Sequence, residues 1–200
     1  ISDAMSNFTF DYSTFDKKQK DYVEENLPVV TPVFAFGFKE SHASPERTLQ
    51  EEVAMSVILD ILAGQMSTLY RELLDDGLVN NTFSTEYFHG YNYAAPLFSG
   101  ESVNPREVSE RIKKAIRELK KNLITEEQFE TVRKKQYGKT VRAFSDVDTV
   151  ANALVGSHFV DEELFSEFEV IKNLKLDFVN DLLVKSFNEE TAVLSVVCGK

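Results

Sequence analysis

Three scarcities bound what this chain can be. Its 200 residues hold a single cysteine, Cys198. No internal disulfide can form, and the expected setting is a reducing one such as the cytoplasm. There are three histidines, His42, His89 and His158, and no two fall within five residues of each other. A histidine pair one helical turn apart, the usual seed of a zinc site, is therefore missing. Positive charge is also in deficit: Lys and Arg number 22 against 33 Asp and Glu, for a net charge of −11 and a pI near 4.8. An acidic surface disfavours phosphate backbones and anionic membrane faces, so neither nucleic acid nor a membrane is expected as a partner. No apolar run approaches a membrane-spanning length. Ile1 to Phe10 lack a basic head followed by an apolar stretch, so no secretory leader is read there.

What remains is ordinary for a globular chain, with 42% hydrophobic and 28% charged residues. The length can bury a core in one domain without staples. Residues 1–26 are polar with scattered aromatics and read as an extension or linker, with a short helix over 17–26; the domain is expected over 27–200. Pro28 and Pro32 bracket the start of an extended run over 29–39. There Val33, Ala35 and Gly37 alternate with Phe34, Phe36 and Phe38, and two apolar or small faces predict a strand buried in a sheet.

Ser44-Pro45 is a helix-start signal. Leu49, Val53, Val57, Ile58, Ile61 and Leu62 then recur at helical spacing, while Met55 and Leu59 fall off that stripe and predict cover on more than one side. Gly64 ends this helix. A shorter one, capped by Ser67 or Thr68, runs to Asp76 and stops at Gly77. Strands are expected over 82–90 and 92–101, joined by a turn at 89–92. Pro96 argues for an edge position or a bulge in the second.

Asn104-Pro105 opens a helix striped by Val108, Ile112, Ala115, Ile116 and Leu119, with basic residues from Arg111 to Lys121 as its solvated face. Thr125 and Gln128 form a capping box for the next helix, which carries Gly138 at a cost of about 1 kcal/mol relative to alanine. Ser145 or Asp146 caps a third, reaching Phe159. Helices over 162–173 and 176–187 follow, then an apolar strand over 191–198 that must insert into the sheet rather than hang on its edge. The order predicts an α+β fold, a mostly antiparallel sheet with helices packed on one side.

Several segments resemble the M16 (pitrilysin-type) zinc peptidases, in particular their bacterial members. Ser67-Thr68-Leu69-Tyr70-Arg71-Glu72-Leu73-Leu74-Asp75-Asp76-Gly77-Leu78 is similar to that family's short helix and tight turn. Thr82 to Tyr87 stands in the place of the strand facing the substrate chamber, and Leu97-Phe98-Ser99-Gly100 in that of its hairpin partner. The segment from Leu123 to Phe129 resembles the start of the long helix, Leu174 to Val179 the entry to the last helix, and Asn188 to Val197 the final strand. The resemblance covers about 29–197.

It implies a half-domain of a clam-like metallopeptidase. In that family zinc is held in one half by His-x-x-Glu-His and a later glutamate, the first glutamate acting as base on the metal-bound water. That motif is absent here, so the resemblance implies the non-catalytic half, with no catalytic residue and no metal ligand in this chain. Zinc is expected in a catalytic half, on the same parent chain or a partner subunit, and a peptide as substrate. The alternative is a structural or assembly module of a homologue that has lost activity. The arginine and tyrosine that such halves often supply fall at about Leu74 and Asn80, and neither matches; Arg71 lies three residues early and reads as a surface residue. Asn80 and Thr82, just past Gly77, are the expected chamber-wall residues.

Other constellations are weaker. His158, Asp161 and Glu162 would share a helix face and could hold zinc or iron, but the plainer reading puts a helix end there, with Asp161 as a cap. Gly138-Lys139-Thr140 lacks the upstream glycine of a phosphate loop, having Arg133 instead. Cys198 reads as a small buried hydrophobe. The aromatics Tyr87, Phe88, Tyr91 and Tyr93 fit either a peptide groove or hairpin packing.

Overall fold

A computed structural model of the chain describes residues 20–40, 48–90, 93–160 and 163–199. The strands are β1 (Tyr22–Asn26), β2 (Val33–Phe38), β3 (Ser84–Gly90), β4 (Tyr93–Glu101) and β5 (Ala192–Cys198). The helices are α1 (Leu49–Ala63), α2 (Thr68–Asp75), α3 (Pro105–Asn122), α4 (Glu126–Ala143), α5 (Val147–Val160), α6 (Ser166–Asn173) and α7 (Leu176–Lys185). The five strands form one sheet in the order β1-β5-β2-β4-β3, antiparallel except for the β1–β5 pair. The α+β expectation holds, and β5 inserts between β1 and β2 as its apolar sequence requires.

Local chemistry explains most boundaries. Thr48 caps α1 in a reciprocal capping box with Glu51; the Ser44-Pro45 signal lies outside the described residues. Ser67 accepts from the Tyr70 N–H to start α2. Past its end Gly77 adopts φ 67°, and Leu78 N–H reaches back to the Leu73 carbonyl at 2.9 Å. That is the left-handed stop for which glycine is suited. Asn104 caps α3, Thr125 and Gln128 box the start of α4, and the Asp146 carboxylate accepts from both the amide and the hydroxyl of Thr149 at the start of α5.

The core lies between one sheet face and the helices. Phe34, Phe36 and Phe38 point into it with Phe98, Leu194 and Val196. Phe38 meets Phe98 and Phe187 edge-on, with centroids 6.5 and 5.4 Å apart. Helix α1 runs through the middle and packs on α2, α3, α4, α6, α7 and β3. Its Met55 and Leu59 are buried along with Val57 and Ile58, so cover on several sides is confirmed. Two long cations tie helix ends: Lys120 Nζ donates to the Ser186 carbonyl at 2.5 Å, and Arg133 to the Lys172 carbonyl at 2.7 Å.

Three expectations are corrected. The helix expected over 17–26 is, in its described part, strand β1, because Tyr22 through Asn26 pair in register with Leu194 through Cys198. Proline 96 does not mark an edge strand, since β4 lies between β2 and β3. The β2–β4 register ends at Gly37↔Leu97, so Pro96, which has no N–H to donate, stands one residue beyond it. Strand β2 is central, yet only its phenylalanine face is sealed; Val33 and Ala35 remain exposed.

Candidate functional site

Strand alternation sends every second residue to the face opposite the core. On β2 those are Val33, Ala35 and Gly37, which are level with Val197, Ser195 and Val193 of β5 and with Glu101, Ser99 and Leu97 of β4. The same face continues onto β3 through Glu86 and Phe88, paired with Leu97 and Ala95. Apart from Gly37 these residues are exposed or half-exposed, whereas their neighbours on the helix side are largely sealed. The rings of Phe88 and Tyr93 lie 5.2 Å apart there, each about half exposed. The result is a broad, shallow surface of small and apolar side chains with scattered hydroxyls and two carboxylates, Glu86 and Glu101.

At its margin β3 is the last strand of the sheet, and among the described residues nothing pairs with its outer edge. A free edge presents a row of backbone donors and acceptors. Alongside it runs a groove of about 370 Å³, lined by Ser56 and Asp60 of α1, Thr85 and Tyr87 of β3, and Lys135 and Lys139 of α4. Lys135 pairs with Asp60 at 2.8 Å, and Gln136 donates to Ser56 at 3.2 Å. The aromatics of β3 divide between the two faces. Tyr87 turns to the helix side, donates to Glu40 at 3.0 Å and stacks on His89 at 5.2 Å, while Phe88 faces out. Tyr91 lies outside the described residues.

Asn80 and Thr82 come together in the turn leading to β3. The Asn80 carbonyl oxygen accepts from the Thr82 amide at 2.9 Å and from its hydroxyl at 2.6 Å. The Asn80 amide donates to Glu101 at 2.7 Å, and the Thr82 hydroxyl accepts from the Glu101 N–H at 2.9 Å. Gly100 allows this close crossing: a Cβ there would meet the Phe83 Cα at 2.9 Å. The two residues thus sit at the rim of the open face with their polar atoms engaged by the fold. Leu74 lies exposed in the last turn of α2, and Arg71, also exposed, turns its Nε back to the Ser67 carbonyl at 3.5 Å.

Among the described residues no three His, Cys, Asp or Glu side chains group as a metal site. His89 lies on β3 and His158 on the exposed side of α5, while His42, Asp161 and Glu162 fall outside the described residues. One ion pair is doubly hydrogen-bonded. Arg117 of α3 grips Glu189 with two hydrogen bonds, at 2.5 and 2.6 Å, and holds that carboxyl below the usual carboxylate range.

The sequence singled out the rim of this surface and, among the hairpin aromatics, Phe88 and Tyr93, but not Glu101 or the open face of β2. Glu101 carries no motif, and the one signal of the open face of β2 is the alternation of Val, Ala and Gly with Phe over 33–38.

Comparison with known proteins points in one direction. The family described as Peptidase M16 inactive domain matches residues 7–154. The uncharacterized zinc protease YmfH of Bacillus subtilis is 27% identical over 152 residues, 76% of this chain and 35% of the relative. A solved M16-like peptidase from Alicyclobacillus acidocaldarius superposes with a TM-score of 0.83 at 25% identity, over 90% of this chain and 44% of that one. The inactive peptidase domain of a Bordetella parapertussis zinc protease shares the fold, with a TM-score of 0.68 at 16% identity, over 86% of this chain and 92% of that one. The chain therefore spans less than half the length of the first two relatives.

Proposed function

The chain belongs to the M16 peptidase family as an inactive domain, and from that premise we propose that it completes a peptide chamber for a catalytic half carrying His-x-x-Glu-His and zinc. The observation that carries this reading is the open sheet face. A sheet that hides Phe34, Phe36, Phe38 and Phe98 under helices and leaves Val33, Leu97, Phe88 and Tyr93 accessible has a surface suited to enclosing something. The free β3 edge beside it suits an extended peptide, whose backbone can add as a further strand while side chains settle on the face. Asn80 and Thr82 then form the rim of the chamber, shaping the entry to β3 through Glu101 rather than contacting peptide with free donors. Zinc chemistry belongs to the other half in this reading.

The test is reconstitution. The catalytic half alone, this chain alone and the two together are assayed for zinc-dependent peptide cleavage. Cleavage that needs both supports the proposal. Equal cleavage by the catalytic half alone overturns it.

A second reading, an assembly module of a homologue without activity, is favoured by Leu74 and Asn80 where such halves often supply arginine and tyrosine. Absence of His-x-x-Glu-His from both the parent chain and any partner subunit would decide for it.

A further inference from the structure

Helix α5 does not behave like the other helices. It is rich in valine, leucine and alanine, yet none of its described residues is buried and it packs substantially on no other element. Val150, Ala153 and Ser157 turn toward the body of the domain. Beneath them lies a cavity of about 410 Å³, walled on the far side by Phe144, Leu164 and Glu167. The opposite side of the helix shows Val147, Leu154, Val155 and Phe159, which are 80, 51, 57 and 82% exposed. At 100° per residue these four fall on one broad stripe with Ala151, which Asp148 and His158 share. A row of large apolar side chains held out by a helix is a contact surface lacking its contact.

We propose that this outer stripe of α5 is the surface on which the catalytic half of the same polypeptide docks. The inference rests on the reading that such a half exists. Size selects the occupant. A helix of 14 residues is about 21 Å long, and one stripe of it offers a few hundred Å², on the order of half or less of the roughly 800 Å² per partner that a stable bimolecular interface needs. A second copy or a separate subunit is poorly held by so small a patch. A segment of the same chain meets it at an effective concentration on the order of millimolar, and a small patch then suffices. The Alicyclobacillus relative, which this chain covers over 44% of its length, leaves more than half of its own chain to fill that role.

Hydrogen–deuterium exchange tests the inference on the full polypeptide that joins this domain to its catalytic half, with the 200-residue chain as reference. Amides of α5 are expected to exchange at least about tenfold more slowly in the full polypeptide. The double variant Leu154→Gln/Phe159→Gln should restore fast exchange there, without changing the circular dichroism of the 200-residue chain. Equal exchange rates with and without the other half overturn the proposal. Concentration-dependent dimerisation of the 200-residue chain, abolished by the same variant, also overturns it and makes a second copy the occupant. Peptide cleavage by the full polypeptide is measured in parallel. Cleavage with an unprotected α5 removes the docking surface and leaves the chamber standing. A protected α5 without cleavage supports docking and removes the chamber.

Discussion

Asn80 uses both ends of its amide inside the fold, the oxygen toward Thr82 and the nitrogen toward Glu101. Truncation to alanine strands a half-buried carboxylate and frees the turn, so Asn80→Ala is expected to lower unfolding stability by about 1–2 kcal/mol in a urea titration. A loss under a few tenths would leave Asn80 as a surface residue of no structural weight. Glu189 gives a pH test. Its carboxyl titrates lower in the folded chain because Arg117 holds it charged. That contribution is complete above the ordinary value of 4.5 and is lost as pH falls through the lower folded value. The gap in melting temperature between wild type and Glu189→Gln should therefore be constant from neutral pH down to about 5 and close below 4.5. A gap that persists in acid would mean that the charge is not what Glu189 supplies. At this scale the sequence offered a polar turn after Gly77 and the names of two of its residues. It could not show that the partner is Glu101, because that pairing crosses from the turn to the end of another strand.

Helices in this chain announce themselves and strands do so unevenly. The caps at Ser67, Asn104, Thr125 and Asp146 act within three residues of themselves, so local sequence reveals them. Thr125→Ala is expected to cost about 1 kcal/mol through the lost cap. Gly77→Ala should cost a similar amount although the space beside it is open, because the strain lies in the left-handed backbone. Thermal melts of both variants check this, and a neutral Gly77→Ala would show that the turn relaxes. Strand β1 escaped notice for a physical reason. Tyr-Val-Glu-Glu-Asn has no alternating apolar face, and its order comes from β5, which lies at the other end of the chain. Pro96 misled in the opposite direction: a proline excludes a ladder bond on one side of one residue, not an interior position for the whole strand.

For the molecule as a whole, one sheet face is packed under helices and the other is open. Phe88→Ser together with Tyr93→Ser should change unfolding stability by no more than about 0.5 kcal/mol, since both rings are half exposed. With the catalytic half present, the same variant should lower kcat/KM for peptide cleavage by about tenfold, equivalent to roughly 1.4 kcal/mol. Full activity in the variant would move the peptide away from this face.

The place of β5 in the sheet bears on how the chain is made. Val33 cannot find Val197, nor Tyr22 its neighbour Leu194, until β5 itself has left the ribosome. During synthesis β2 and β4 can pair, but β1 waits alone and β2 shows an open edge beside its phenylalanines. A nascent chain in that state has exposed strand edges that favour aggregation, and its sheet closes only once β5 has emerged. A chain stopped just short of Ala192 would lose all seven residues of β5 and with them the seam between the two parts of its sheet.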